Sequence, residues 1–250
     1  MRKYPHKVDE ELLNEHRTSA EELIRELAPD LPKAETDYNA MFFKILGKEI
    51  RDCGIYSYAF EEPFSKAIDQ LQQANACFAK AIAFGIVMDP YEYIDYLALA
   101  IILTDVDQAK KLAAFPRIRY VNQDVEPGEI IYLLAESMGL LLLGVNGLTE
   151  RLAAAQQELV SKKITRYDRA IAETLITMIE AIANRDQTAF DQVVTARQES
   201  FKRAHNHPDE RNMPDALLDV SGLALVRIAL ARGLQCNVQS PYLPVELLQR

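Results

Sequence analysis

The densest group of side chains that could bind a metal ion lies just after residue 204. It consists of His205, His207, Asp209 and Glu210. Imidazole and carboxylate groups bind zinc and other divalent ions, but a stable site holds three or four ligands in one geometry. The one-letter codes of His205-Asn206-His207 spell the name of a nuclease family. In that family the named residues are separated in the sequence, so a consecutive tripeptide is not evidence for a nuclease site. We therefore expect a solvated helix end here, with no bound metal and no other cofactor. His6 and His16 stand among charged residues near the N-terminus, and we expect them to lie on the surface.

Cysteine chemistry has little support in the sequence. Cys53, Cys77 and Cys236 form no C-x-x-C pair, and their number is odd. A nucleophilic thiol needs a neighbouring base, and a disulfide framework needs an even count. We expect buried or half-buried thiols that stay reduced. No apolar leader follows Met1, so the sequence predicts a cytoplasmic protein.

Composition argues against two classes of partner. The formal net charge is −9, whereas affinity for nucleic acid depends largely on Lys and Arg. Gly139, Gly144 and Gly147 have no strand before them and no G-K-S/T after them, so they do not form a phosphate-binding loop. The most apolar run, 138–145, is far shorter than the roughly 20 residues of a membrane-spanning helix. We expect neither a nucleic-acid nor a membrane partner.

Carboxylates are concentrated between residues 89 and 136, and several stand at predicted helix starts. There they would cap the helix and offset its dipole, stabilising it by roughly 0.3 to 2 kcal/mol each. A second interpretation is that the loops near these helices form an acidic surface that attracts a basic protein over long range. The sequence leaves both interpretations open. The candidate partner-binding residues are Asp89, Glu92, Asp95, Asp105, Asp107, Asp124 and Glu126.

Apolar residues recur at helical spacing along almost the whole chain, which predicts an all-α fold. Glycine is scarce, at 9 residues, which favours long helices. Asp89 with Pro90 begins one helix, and Gly54, Gly85 and Gly233 each end one. The predicted helices cover residues 9–26, 36–53, 64–84, 89–102, 105–115, 126–145, 148–159, 165–184, 188–205 and 215–232.

The connections between these helices predict the architecture. Residues 18–21, Thr-Ser-Ala-Glu, match an internal capping box where the first helix restarts, and 116–125 are predicted to be extended. The tight turn at 184–187 should pair its two helices antiparallel. We predict an irregular array of antiparallel helical hairpins around one core. It forms a single domain, 1–250, with a sub-boundary near 206–213 and an extended C-terminal tail docked on the body.

The C-terminal segment carries the most distinctive pattern. The helix at 215–232, DALLDVSGLALVRIALAR, is apolar nearly all round, as expected of a buried central helix. After Gly233 and a short link comes SPYLPVELL, in which two prolines restrict the backbone while Tyr242 and three leucines can dock. This pattern resembles the immunity protein 49 family of bacterial polymorphic toxin systems. The resemblance implies that the two stretches, 217–233 and 241–248, are structural, so they are not evidence for where a toxin would bind.

The resemblance implies a non-enzymatic protein that binds a cognate toxin and neutralises it by occluding its active site. Two alternatives stay open. One is a helical scaffold or regulatory module that binds a peptide or protein partner, which a contiguous apolar surface groove would favour. The other is an enzyme built from scattered carboxylates such as Glu61, Glu62 and Glu136, which a deep pocket with strongly shifted pKa values would favour.

Overall fold

The computed structural model describes residues 1–115, 129–160, 164, 166–208 and 210–248. Within these residues the secondary structure is helical, with no strand, so the all-α prediction is confirmed. The predicted extended segment at 116–125 and the predicted helix start at 126–128 lie outside the described residues. No helix in the described part of the chain combines the length and the apolar character that a membrane span requires.

The chain forms two compact units. Unit 1 comprises Met1–Val87 and Asn206–Leu218, and unit 2 comprises Met88–His205 and Asp219–Arg250. The α-helices of unit 1 are α1 Glu10–Leu27, α2 Leu31–Thr36, α3 Ala40–Ala59 and α4 Phe64–Ala83. Those of unit 2 are α5 Pro90–Ile102, α6 Val106–Ala113, α7 Glu129–Leu143, α8 Leu148–Leu159, α9 Arg166–Asn184, α10 Gln187–Ala204 and α11 Val220–Ala231.

Asp and Asn side chains begin most of these helices, because their oxygens accept from N–H groups that the first turn leaves unpaired. The carboxylates of Asp9, Asp89, Asp105 and Asp186 do this for α1, α5, α6 and α10. Asn39 does the same for α3. The sequence signals at Asp89 and Asp105 are therefore confirmed.

Unit 1 is built around the pair α3 and α4, which pack closely along their length. Gly54 was predicted to end a helix, and this was wrong: it lies inside α3. A Cβ there would stand 3.1 Å from Leu71 Cγ of α4, and one at Gly47 would stand 2.7 Å from the Phe78 ring. These glycines serve the close approach of two helices, not the left-handed backbone of a helix end.

Two other features of the predicted helix boundaries need correction. Helix α1 runs without interruption, and the Thr18 hydroxyl donates back to Asn14 O at 2.8 Å, so the predicted internal capping box is wrong. Helix α11 begins at Val220, not at 215, because Asp219 provides the cap and residues 214–216 form a separate 3-10 turn. The predicted end of this helix is confirmed, since Gly233 has φ +87°.

Helices α5, α7 and α11 form the core of unit 2. Each is apolar on nearly all sides, and α5 packs against both of the others. Leu97, Leu134 and Leu225, one from each helix, are buried. The prediction that the α11 segment is a buried central helix is confirmed, and α5 is also largely buried. The ends of these helices position the surface features described next.

Candidate functional site

The candidate partner-binding residues begin at the start of α5, where Asp89 and Glu92 form a capping box. The Glu92 N–H donates to Asp89 Oδ1 at 2.8 Å, and the Asp89 N–H donates to Glu92 Oε2 at 3.2 Å. Both side chains are half-buried. Each carboxylate satisfies a backbone N–H of the helix start, so the capping interpretation is confirmed for this pair.

Asp105 and Asp107 lie at the start of α6. Asp105 Oδ1 accepts from the Gln108 N–H at 3.1 Å, and Asp107 is exposed. Helix α5 has 13 residues, which span about 20 Å at 1.5 Å per residue. Asp89 and Asp105 therefore flank opposite ends of that helix. The structure brings Asp89 together with Glu92, and Asp105 with Asp107, but it separates the two pairs.

The remaining candidate residues are less informative. Asp95 is half-buried in the middle of α5 and interacts with neighbouring groups. Asp124 and Glu126 lie outside the described residues. Of the candidate residues that the structure describes, Asp107 is the exposed one that caps no helix, which makes it the best position at which to test the acidic surface.

A pocket of about 280 Å³, here called the cationic pocket, opens on unit 2 where α5, α6, α7 and α11 meet. Its volume is just below the roughly 300–1,000 Å³ of most small-molecule sites, so it suits one large side chain or a fragment of similar size. No sequence pattern predicted it. Apolar side chains form most of its walls: Ala100, Ile101, Ala109, Leu142, Ile228 and Ala231.

Three positively charged side chains, Lys110, Arg227 and Arg232, line the same pocket. Arg227 donates to Leu248 O and Arg232 donates to Leu141 O, both neutral carbonyls. Within the described ranges, none of the three cations is paired with a carboxylate, and no Asp or Glu lines the pocket. The wall is therefore positively charged, although the chain carries a formal net charge of −9.

The lip of the cationic pocket holds a residue in a strained conformation. Thr104 has φ +56°, in the left-handed region. Its hydroxyl donates to Leu103 O at 2.6 Å. A β-branched residue is an outlier there, at a cost of order 1 kcal/mol or more, whereas Gly or Asn adopts this backbone readily. Val106, next to it, is 54% exposed, so the lip presents apolar surface to solvent.

The histidines are not arranged as a metal site. Among the described residues, no group of three His, Cys, Asp or Glu side chains could hold an ion; Asp209 lies outside them. His205 was predicted to be solvated but is buried against Phe201, with ring centroids 4.3 Å apart. His6 was predicted to lie on the surface but is buried, with Nε2 3.0 Å from Arg211 O. Both predictions were wrong: His6 contacts a residue far along the chain, and His205 packs against the ring four residues before it.

The cysteine thiols are held in their protonated form. Burial raises the pKa of Cys53 to about 12, and the charges of Glu21 and Asp52 raise it further. Burial also raises the pKa of Cys77 and of Cys236. Because the thiolate is the nucleophile, thiols with raised pKa values react slowly at neutral pH. The prediction of buried or half-buried thiols is confirmed.

The pKa of Glu62 is lowered from its ordinary value, and hydrogen bonds and ion pairs explain the shift. Arg17 Nη2 lies 3.0 Å from Glu62 Oε1, and Lys66 Nζ lies 3.0 Å from Oε2. Burial raises the pKa of Glu62, but hydrogen bonds from Ser57, Lys66 and Arg17 outweigh burial and hold the pKa at about 2. A carboxyl group with so low a pKa is a poor proton donor or acceptor near pH 7.

The other two carboxylates named for the enzyme alternative are also engaged in ion pairs. Glu61 lies 3.5 Å from the Met1 amine, and Glu136 lies 3.2 Å from Arg151 Nε. Glu61 belongs to unit 1 and Glu136 to unit 2. Neither lines the cationic pocket, so the pocket holds none of the carboxylates that the enzyme alternative requires.

Among the residues that the structure describes, a buried charge pair joins α10 to the start of α11. Arg197 donates from Nε and Nη2 to the two carboxylate oxygens of Asp219, at 2.6 and 2.8 Å, and both side chains are 2% exposed. Arg197 also donates to Ile171 O and Thr174 Oγ1. Asp219 Oδ1 accepts from the Gly222 N–H at 2.9 Å. The Asp-Val-Ser-Gly stretch of the C-terminal pattern thus has a structural role.

The second stretch of that pattern, SPYLPVELL, packs within unit 2. Its residues Val245–Leu248 form a 3-10 helix, so the extended backbone predicted for the tail is wrong there. Tyr242 and Leu243 are each 1% exposed. The Asp219 N–H donates to Tyr242 O at 2.9 Å, and the Tyr242 ring lies 5.0 Å from the Phe201 ring. A Cβ on Gly222 would stand 3.0 Å from Leu243 Cδ2, so the two stretches meet directly.

A family model described as immunity protein 49 matches residues 44–247, which is most of the chain. The chain belongs to the immunity protein 49 family. The family indicated by the C-terminal pattern is thereby confirmed. No curated protein and no solved structure matches the chain.

Membership of the immunity protein 49 family implies a toxin partner and a generally non-enzymatic class of protein. The sequence predicted a partner surface made of carboxylates and did not predict the cationic pocket. Lys110 on α6 is more than 100 residues from Arg227 and Arg232 at α11, and only the fold brings it to them. One signal was available: Arg227 is the single charged residue within α11, VSGLALVRIALA.

Proposed function

We propose that this protein binds a cognate bacterial toxin in the cytoplasm and neutralises it by occluding the active site of the toxin, without catalysing a reaction. The observation that carries the proposal is the family match over residues 44–247. The structure supports it in two ways. The described carboxylates named for catalysis are paired with cations, and the thiols are protonated at neutral pH.

Protection of a cell sets a requirement on the affinity. A nanomolar complex corresponds to about −12 kcal/mol, which interfaces of roughly 1,600 Å² reach when a few buried anchors carry most of the energy. Helices with capped starts and buried cores provide a surface that is already formed before binding. Such a surface loses little conformational entropy in the complex, which favours tight binding.

The acidic candidate residues retain a role in this proposal. A carboxylate that caps a helix keeps its negative charge, so Asp89, Glu92 and Asp105 still contribute to the field around unit 2. Together with exposed Asp107 and half-buried Asp95, they would attract a basic toxin and accelerate its encounter with the surface. Asp124 and Glu126 would add to that field by their charge alone.

Growth rescue tests the proposal. The toxin encoded by the neighbouring gene is expressed in the cytoplasm of a sensitive strain, with and without this protein, and the purified pair is examined for binding. We expect restored growth and a stable complex. An immunity protein of unrelated sequence, expressed at the same level, is the control. Failure to rescue growth from any neighbouring effector would contradict the proposal.

The scaffold alternative receives support from one observation, the apolar walls of the cationic pocket. A surface depression of this kind can also accept a peptide segment of a partner that is not a toxin. The same growth assay separates the two functions, because a scaffold that binds a neighbouring gene product would leave the toxicity of that product unchanged.

A further inference from the structure

The cationic pocket has a chemistry that selects its occupant. Apolar side chains from four helices form its walls, and burying an apolar group against them is favourable by about 25 cal/mol per Å² removed from water. Lys110, Arg227 and Arg232 add positive charge to the same walls. An occupant that satisfies both features carries an apolar group beside a negative charge.

The two guanidinium groups are held in place before any partner arrives. Arg227 donates to Leu248 O, and Arg232 donates to Leu141 O. These bonds use one nitrogen of each group, and a guanidinium has five N–H donors in a fixed fork. The carbonyl partners are neutral, and no carboxylate within the part of the chain that the structure describes is paired with either group. Each guanidinium can therefore pair with a carboxylate of a partner, and an Arg–carboxylate pair is among the stronger polar contacts in proteins.

The lip of the pocket is formed where α5 ends. Thr104 keeps a left-handed backbone that a β-branched residue adopts at a cost. Tyr38, Glu61 and Arg185 have the same backbone conformation after α2, α3 and α9, so at Thr104 this conformation ends α5. Val106 beside it is 54% exposed, which extends the apolar wall onto the open surface.

We infer that the cationic pocket is the position at which the toxin inserts an apolar side chain that stands next to a carboxylate. The inference rests on the proposed function and adds the contact site and its chemistry. A toxin with a positive net charge fits both the acidic residues and the cationic pocket. The acidic residues attract the whole toxin, and the pocket then binds one apolar side chain and the carboxylate next to it. Burial of an anchor in a preformed pocket is the usual source of most of the binding energy in an interface.

Two substitutions test the inference at the pocket itself. Lys110 is exposed and lines the pocket, so Lys110→Glu places a like charge beside the carboxylate of the toxin. Ala231 is exposed at the end of α11 and also lines the pocket, so Ala231→Phe fills the space from the solvent side. We expect the Kd to rise by about tenfold or more for the first variant and about a hundredfold for the second.

Matched controls separate the pocket from general effects. Lys111→Glu makes the same charge change at the next residue of α6, which does not line the pocket, and Ala153→Phe adds the same ring to the exposed face of α8. Lys110→Arg keeps the positive charge and should retain binding. Calorimetry with the purified toxin domain encoded by the neighbouring gene measures the Kd, and the urea midpoint of each variant verifies that it folds.

The outcomes distinguish the inference from the proposed function. If the wild-type protein binds the toxin tightly and the pocket variants bind as well as their controls do, the inference is overturned and the proposed function stands. If the wild-type protein neither binds the toxin nor rescues growth, both fail. Weakened binding that is confined to Lys110→Glu and Ala231→Phe, with unchanged urea midpoints, supports the inference.

Discussion

At the scale of single residues, Asp219 combines three structural roles. Its carboxylate pairs with Arg197, the same carboxylate caps α11, and its backbone N–H donates to Tyr242 O. A buried charge whose partner is removed loses its compensation, which destabilises a protein by about 3–5 kcal/mol. The contribution of this site therefore depends on the ion pair more than on the cap.

We predict that Asp219→Asn lowers the free energy of unfolding by about 3 kcal/mol, because Asn keeps the capping oxygen but leaves Arg197 buried without its counter-charge. Urea unfolding of the single and double variants measures this. The double variant Asp219→Asn with Arg197→Met should cost less than the sum of the two single changes. Asp186→Asn, at the exposed cap of α10, is the control and should cost well under about 1 kcal/mol.

Glu62 makes a pH-dependent contribution to stability. Hydrogen bonds and ion pairs with Arg17, Lys66 and Ser57 hold its pKa at about 2, below the ordinary value of 4.5. A carboxyl group with a lowered pKa in the folded state stabilises the protein fully above its unfolded pKa and loses that contribution as the pH falls toward the folded pKa. The window for Glu62 therefore extends from about pH 4.5 down to about pH 2.

We predict that Glu62→Gln is less stable than the wild type at pH 6 and that the difference shrinks steadily between pH 4.5 and pH 2. Unfolding midpoints in urea at several pH values measure it. Glu22→Gln, an exposed position on α1, removes the same charge without these contacts. Parallel pH profiles for the two variants would argue against the ion pairs as the cause.

Predictions from the sequence were right for helix caps, which involve residues close in sequence, and wrong for side-chain burial, which depends on how the helices pack. Asp89 and Asp105 were recognised as caps, because a cap involves residues only three positions apart. His6 and His205 were placed in solvent, because their burial depends on residues distant in sequence or on the packing of a neighbouring ring.

At the scale of elements, glycine has two roles that the sequence does not distinguish: it ends a helix, or it lets two helices pack closely. Gly85 and Gly233 end helices with φ near +85°, as predicted. Gly54 looks alike in sequence but lies inside α3, where a Cβ would crowd Leu71 of α4. The difference is set by which helix packs against the glycine, and apolar periodicity alone does not specify that neighbour.

The candidate site shows the same division. The carboxylates at the starts of α5 and α6 could be found from the sequence, since helix starts have local signals. The cationic pocket could not, because α5, α6, α7 and α11 contribute its walls from positions between 100 and 232. A surface assembled by four helices becomes visible only when their packing is known.

At the scale of the whole molecule, the formal charge of −9 bears on how fast a partner arrives. Attraction between oppositely charged proteins raises the association rate constant and weakens as salt is added, since the Debye length falls from about 10 Å at 0.1 M to about 3 Å at 1 M. The proposed acidic surface should therefore affect association more than dissociation.

We predict that Asp107→Lys slows association with the toxin of the neighbouring gene by about two- to fivefold at low salt and leaves the dissociation rate nearly unchanged. Stopped-flow or surface binding kinetics at two salt concentrations measure both rates. Glu150→Lys, an exposed position on α8, is the matched control. If both substitutions slowed association equally, the association rate would depend on the net charge of the protein and not on an acidic surface at Asp107.

Unit 1 contains residues 206–218, which the ribosome synthesises long after residues 1–87, so unit 1 cannot be completed early in translation. The Asp9 N–H is bonded to Asn212 Oδ1, and Arg51 is paired with Asp215, so the N-terminal unit lacks partners until those late residues emerge. At about 5–20 residues per second, synthesis of residues 88–205 delays its completion by on the order of ten seconds. A polypeptide released from the ribosome before residue 206 would contain Met1–Val87 but would lack Asn206–Leu218, the second segment of unit 1.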